Sequence, residues 1–181
     1  MNGHFLILGG ARSGKTALGE RLAMSLGTDP AYLATAEALD EEMQARVQTH
    51  QNQRAGRFTT IEEPLELPEA LTEAVAAGHD VVLVDCLTLW VSNLLGAERD
   101  VSAATEALAT TLQQIESARI VLISNEVGLG IVPDNALARN FRDLAGWMHQ
   151  RLATVCGNVA FVAAGLPMTL KGALPELGPG C

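Results

Sequence analysis

The chain has 181 residues, the length of one ordinary domain, and its 48% hydrophobic and 18% charged side chains can bury a sizeable core, which excludes disorder, collagen-like repeats and charged coiled coils. Twelve Lys and Arg against 21 Asp and Glu leave a net charge of −9, and aromatic residues make up only 4%, which excludes sequence-independent nucleic-acid binding and a base-stacking platform. Cys86, Cys156 and Cys181 make no C-x-x-C pair and are odd in number, and neither a leader pattern nor a bilayer-length apolar run is present, so a cytoplasmic protein without membrane insertion is expected.

The first apolar run, Phe5 to Leu8, has no polar alternation, the pattern of a strand covered by helices on both faces. A glycine-rich turn follows, then helical periodicity over Ala17 to Ser25. The next strand is predicted over Tyr32 to Ala34, and a helix from Leu39 to Arg54 in which Leu39, Met43 and Val47 repeat every four residues. Val81 to Val84 reads as a third strand, Ala103 to Ile115 as a helix and Ile120 to Ile123 as a fourth strand. The clearest helix spans Ala136 to Leu152, with Leu137, Phe141, Leu144, Met148 and Leu152 as its core stripe and Asp134 placed to cap it. A last strand is expected over Val159 to Ala164. Pro175, Gly178, Pro179 and Gly180 then mark residues 173–181 as a flexible tail, leaving residues 1–172 as a single domain.

The first strand runs into Gly9, Gly10, Ala11, Arg12, Ser13, Gly14, Lys15 and Thr16, which satisfy G-x-x-x-x-G-K-S/T directly before a helix. Such a loop converges backbone N–H groups on phosphate oxygens at the positive end of a helix dipole. Lys15 adds a point charge, and the Thr16 hydroxyl can ligate Mg²⁺. A loop of this kind needs an acidic partner at the end of another buried strand, and Asp85, closing the run Val81 to Val84, is that candidate for the metal; a turn or cap acid is the other reading. Alternating strands and helices around this motif predict a three-layer α/β, P-loop NTPase-like domain with a mostly parallel central sheet.

Arg46, His50 and Arg54 also lie four apart, so an imidazole stands between two guanidinium groups on one helix face. Two flanking cations favour the unprotonated ring and can gather phosphate oxygens around a nitrogen nucleophile or base. Spacing alone favours a surface histidine on a solvated helix. His4, His79 and His149 carry weaker signals, with His149 lying off the expected stripe of its helix.

Taken together, Gly9 to Thr16, Tyr32 to Ala36, Asp40 to Met43 leading into Arg46 and His50, and Ser124 to Pro133 followed by Arg139, Phe141, Arg142 and Asp143 form an ordered set. This set resembles the bifunctional adenosylcobinamide kinase / adenosylcobinamide-phosphate guanylyltransferase family of cobalamin biosynthesis, up to about Lys171. The resemblance implies two reactions. Adenosylcobinamide is phosphorylated from a nucleoside triphosphate, and GMP then passes from GTP to adenosylcobinamide phosphate through a histidine–GMP intermediate.

In that comparison His50 falls on the nucleophile, without the neighbouring second histidine of some relatives because Thr49 precedes it. Ala34, Thr35, Ala36, Gln51, Asn52, Gln53, Arg54, Glu62 and Asp85 fall where family members contact GTP, alongside Gly9 to Thr16. The resemblance also implies Lys15 as a catalytic residue, GTP (or ATP for the kinase step) with Mg²⁺, and a homotrimer. A single domain of this length is small for a corrinoid and a nucleotide together, which favours oligomerisation. Asn125 to Pro133 can serve as corrinoid contact, subunit interface or mobile loop. A single-function P-loop kinase of another small molecule, or a nucleotide-binding regulatory switch, are the competing readings.

Overall fold

A computed structural model describes residues 3–36 and 56–177. The strands among them are β1 (Phe5–Gly9), β2 (Pro30–Ala34), β3 (Thr59–Glu62), β4 (Val81–Asp85), β5 (Arg119–Asn125), β6 (Asn158–Ala163) and β7 (Leu166–Lys171). The helices are α1 (Lys15–Leu26), α2 (Leu67–Ala76), α3 (Leu87–Gly96), α4 (Val101–Gln114) and α5 (Ala136–Val155). They build one seven-stranded sheet in the order β3-β2-β4-β5-β1-β6-β7, parallel throughout except for β7, which returns antiparallel along β6.

Successive side chains of a strand point to opposite faces, and here both faces are covered. Leu6, Val82, Val84, Ile120 and Leu122 face a core shared with Leu71 of α2, Trp90 of α3, Leu108 of α4 and Leu152 of α5. Phe5, Ile7, Leu83, Val121 and Ile123 face the other way, onto Leu18 and Leu22 of α1. That two-sided burial explains the unbroken apolar runs, and it makes the three layers expected from sequence.

Four elements were not foreseen. β3 and β7 are edge strands with largely exposed side chains, and β7 carries Pro167 where an edge tolerates a missing donor. α2 has a proline in its first turn, and α3 is mostly apolar, with Ser92 exposed and Asn93 half-buried. Two expectations are corrected. The cap of α5 is Asn135, whose side chain accepts from Ala138 N at 2.7 Å, so Asp134 lies one residue outside. Its core stripe keeps Met148 and Leu152, with Phe141 and Leu144 partly buried against the same core, and gains Ala145 and His149, whereas Leu137 is 69% exposed because the first turn stands clear of the core.

His4 ties sheet to helix: its Nε2 meets the Leu112 carbonyl at 2.8 Å and its Nδ1 accepts from Ile120 N at 3.1 Å. Beyond β7, Leu174 and Leu177 lie against the α1 face, and Arg21 donates to the Leu177 carbonyl at 3.3 Å. No helix among the described residues is long and apolar enough to cross a membrane.

Candidate active site

The parallel strands end along one edge of the sheet, where β1 delivers Gly9 into the loop that opens α1. In open α/β sheets ligands bind outside these carboxyl ends. Two glycines have no substitute here. A Cβ on Gly9 would meet the Val162 carbonyl oxygen and Ser13 Oγ at 2.6 Å each, and Gly14 caps α1 at φ 96°, in the left-handed region. The loop is braced from both sides, by Glu126 N donating to the Gly9 carbonyl at 3.0 Å and by Gly165 N donating to the Ser13 carbonyl at 2.8 Å. Gly165 lies in the tight turn joining β6 to β7, a brace that only the unforeseen hairpin supplies.

Within the loop, Lys15 is 7% exposed and its Nζ donates to the Gly10 carbonyl at 3.0 Å. Arg12, Ser13, Gly14, Lys15, Thr16, Ala17 and Glu20 line a cleft of about 380 Å³. Ser13 Oγ is a buried polar atom with no hydrogen-bond partner among the described residues. An unpartnered hydroxyl in a glycine-rich loop at a helix N-terminus fits an anion carrying its own acceptors.

Asp85 ends β4 beside this cleft and receives two hydroxyls on Oδ2, from Thr16 Oγ1 at 3.0 Å and from Tyr32 OH at 2.8 Å. The Tyr32 contact has no signature in the sequence motif, because it depends on β2 lying next to β4. One hydroxyl and one carboxylate, with the remaining positions left to phosphate oxygens and water, is the donor set that suits Mg²⁺. Among the described residues no group of three or more His, Cys, Asp or Glu side chains converges.

Strand register lines up Glu62, Ala34 and Asp85 across the ends of β3, β2 and β4. Thr35 is buried, and its hydroxyl is committed locally, donating to the Cys86 carbonyl at 2.8 Å and accepting from Cys86 N at 2.9 Å. It thereby fixes the chain just after Asp85. Ala36 follows, half-buried. Thus the structure gathers Gly9 to Thr16, Ala34, Thr35, Ala36, Glu62 and Asp85 along the carboxyl edge. Arg46, His50, Gln51, Asn52, Gln53 and Arg54 lie outside the described residues.

Behind the edge sits a polar pair that sequence reading placed off the core. His149 Nε2 and Ser124 Oγ are 2.7 Å apart, both buried. Burial lowers the imidazole to a pKa of about 4, opposed by the charge of Glu126. The cysteines behave as expected of small buried residues: desolvation, reinforced by Asp85, raises the Cys86 thiol, and burial pushes Cys156 up to about 12. A larger cleft of about 600 Å³ opens among Gly3, Gln113, Glu116, Arg119 and Lys171. The Lys171 ammonium there is held by the Ala153 and Cys156 carbonyls at 2.7 Å each, closing the end of α5.

The family described as cobinamide kinase / cobinamide phosphate guanyltransferase matches residues 5–170. The bifunctional adenosylcobalamin biosynthesis protein CobP of Pseudomonas aeruginosa is 48% identical, covering 92% of this chain and 96% of that protein. The corresponding protein CobU of Salmonella typhimurium is 40% identical, with 92% and 98% covered. Among solved structures, the RadB recombinase superposes with a TM-score of 0.55 at 16% identity, covering 97% of this chain and 84% of that one. A KaiC-like protein from Pyrococcus horikoshii does so at 0.52 and 12%, covering 88% and 71%. These two likenesses concern the fold. The family match spans the sheet and the whole braced loop, and the chain belongs to the cobinamide kinase / cobinamide phosphate guanyltransferase family.

Proposed function

We propose that the cleft between the phosphate loop and Asp85 takes GTP, or ATP for the kinase step, together with Mg²⁺, and that this one site serves both reactions of the family. The enzyme is a bifunctional adenosylcobinamide kinase and adenosylcobinamide-phosphate guanylyltransferase of adenosylcobalamin biosynthesis. The observation that carries the nucleotide assignment is the 3.0 Å contact from Thr16 to Asp85 beside a loop whose lysine is already drawn inward.

In this reading the backbone of Gly9 to Lys15 cradles the phosphates, and Lys15 neutralises charge that builds up during phosphoryl transfer. Thr16 and Asp85 would hold Mg²⁺, whose charge would offset that of the phosphates. Transfer of this kind asks mainly for position and electrostatics. Ala34, Thr35, Ala36, Gln51, Asn52, Gln53, Arg54 and Glu62 complete the nucleotide surroundings, with Thr35 acting through the backbone it fixes. For the second reaction His50 is the nucleophile. Its ring nitrogen bonds to the α-phosphorus of GTP as the bond to pyrophosphate breaks, and adenosylcobinamide phosphate then takes the GMP and frees the ring. A histidine of reference pKa ~6.5 is largely neutral at cellular pH, as a nucleophile must be.

The homotrimer and the cytoplasmic location are part of the same proposal. Leu129, Ile131, Val132 and Leu137 expose an apolar surface near the site, which supports burial between subunits. Free buried Cys86 and Cys156 suit a reducing compartment. Mass analysis of products from adenosylcobinamide, GTP and Mg²⁺ tests the reaction sequence. Adenosylcobinamide phosphate followed by adenosylcobinamide-GDP is the expected outcome, and GTP consumption without any corrinoid product contradicts it.

A further inference from the structure

Beside the phosphate loop a pocket of about 260 Å³ is lined by Gly10, Glu126, Val127, Leu129, Gly130 and Phe161. Its position relative to the nucleotide follows from Lys15, whose Nζ lies 3.0 Å from the Gly10 carbonyl. The lysine of such a loop reaches the β- and γ-phosphates, so Gly10 marks the γ-phosphate end. Glu126 supplies the carboxylate of this pocket. Its backbone N donates to the Gly9 carbonyl at 3.0 Å, which fixes it to the loop itself.

The carboxylate is held in place as well. Oε1 accepts from Gly128 N at 2.8 Å and Oε2 from Leu129 N at 3.1 Å, and each oxygen keeps a second lone pair. Among the described acids of the strand ends, Asp85 is engaged by Thr16 and Tyr32, and Glu62 is on β3, three strands away from β5. His149 behind Glu126 feels its charge but is kept neutral by burial, so it does not cancel the carboxylate. Val127, Leu129 and Phe161 give the rest of the pocket an apolar lining suited to an aliphatic arm.

We propose that Glu126 is a catalytic residue of the kinase step, accepting the hydroxyl proton of an aliphatic alcohol that enters this pocket. The alcohol oxygen bonds to the γ-phosphorus, the bond from that phosphorus to the β-phosphate oxygen breaks, the nucleoside diphosphate leaves with the electron pair, and the proton passes to Glu126. Guanylyl transfer uses a phosphate acceptor with no such proton and does not need the carboxylate. This inference rests on the kinase half of the proposed function.

The test compares two rates in the same full-length preparation: phosphorylation of adenosylcobinamide, and guanylylation of supplied adenosylcobinamide phosphate. In Glu126→Gln the ratio of the first rate to the second falls about 100-fold, through kcat with the nucleotide KM nearly unchanged. Glu126→Asp, which keeps a retracted carboxylate, gives an intermediate ratio. Because both rates come from one sample, the ratio does not depend on how much of the variant is folded. A proportional fall of both activities shows a turn-holding residue only and overturns the proposal, as does an unchanged ratio. A wild-type chain that guanylylates but never phosphorylates overturns the kinase reading itself, before any variant is compared.

Discussion

Thr16 donates its hydroxyl to Asp85 Oδ2 across 3.0 Å, although 69 residues separate them in the chain. The contact joins the start of α1, which follows β1, to the end of β4, and β5 lies between those two strands. Tyr32 reaches the same oxygen from β2 at 2.8 Å, so the carboxylate is aimed at the loop by two hydroxyls. Replacing Asp85 with Asn removes the charge but keeps the size. Turnover in both reactions is expected to fall about 100-fold or more, whereas Tyr32→Phe, which removes one of the two aiming bonds, costs about 1 to 2 kcal/mol in stability and less in rate. Steady-state rates and urea titrations of the two variants check this. Equal activity of Asp85→Asn and wild type refutes the metal role.

Lys15→Ala removes the charge that the loop directs inward. Nucleotide affinity or turnover is expected to drop by about 100-fold, because a preorganised cation in a partly dehydrated site is worth several kcal/mol. Titration calorimetry with GTP and Mg²⁺, followed by rate measurements, decides whether binding or chemistry carries the loss. An unchanged affinity and rate would remove Lys15 from the site.

His4 satisfies two buried backbone groups at once, the Leu112 carbonyl and the Ile120 N–H. Its Nε2 is therefore the protonated nitrogen, since Nδ1 must accept. His4→Ala strands both groups and is expected to destabilise the fold by about 3 kcal/mol, measured by chemical unfolding.

The pH dependence of stability follows from His149. Its folded pKa of about 4 lies below the 6.5 of an exposed imidazole, so between these values the unfolded chain binds the extra proton. The contribution is complete above the unfolded pKa and is lost as pH falls through the interval toward 4. Between about pH 7 and pH 5 the wild type is expected to lose on the order of 2 kcal/mol more than His149→Gln does. Burial lowers the pKa of His4 also, and that contribution, having the same sign, is common to both proteins and cancels in the comparison.

What the sequence made legible follows from what local pattern records. Val81 to Val84 and Ile120 to Ile123 announce central strands because both their faces are buried, and Gly9 to Thr16 carries the loop's identity in its spacing. Edge strands lack that double burial, so β3 and β7 left no such run, and with β7 went the Gly165 brace under Ser13. The stripe of α5 differs from its apolar pattern at Leu137, which is apolar yet exposed in the first turn, and at the polar His149, which is packed inward on Ser124. Tyr32 and Glu126 acquire their places only when β2 meets β4 and β5 meets β1, relationships of topology that no local window contains.

In the proposed function GMP passes through His50, and that covalent step is the most direct point at which to test the proposal. The chain is incubated with Mg²⁺ and GTP radiolabelled at the α-phosphate, denatured, and the protein-bound label is challenged with acid and with alkali. A phosphoramidate on His50 predicts label that is lost in acid, survives alkali and is absent from His50→Ala. Wild-type protein that takes up no label, or a His50→Ala protein that labels equally well, contradicts the account.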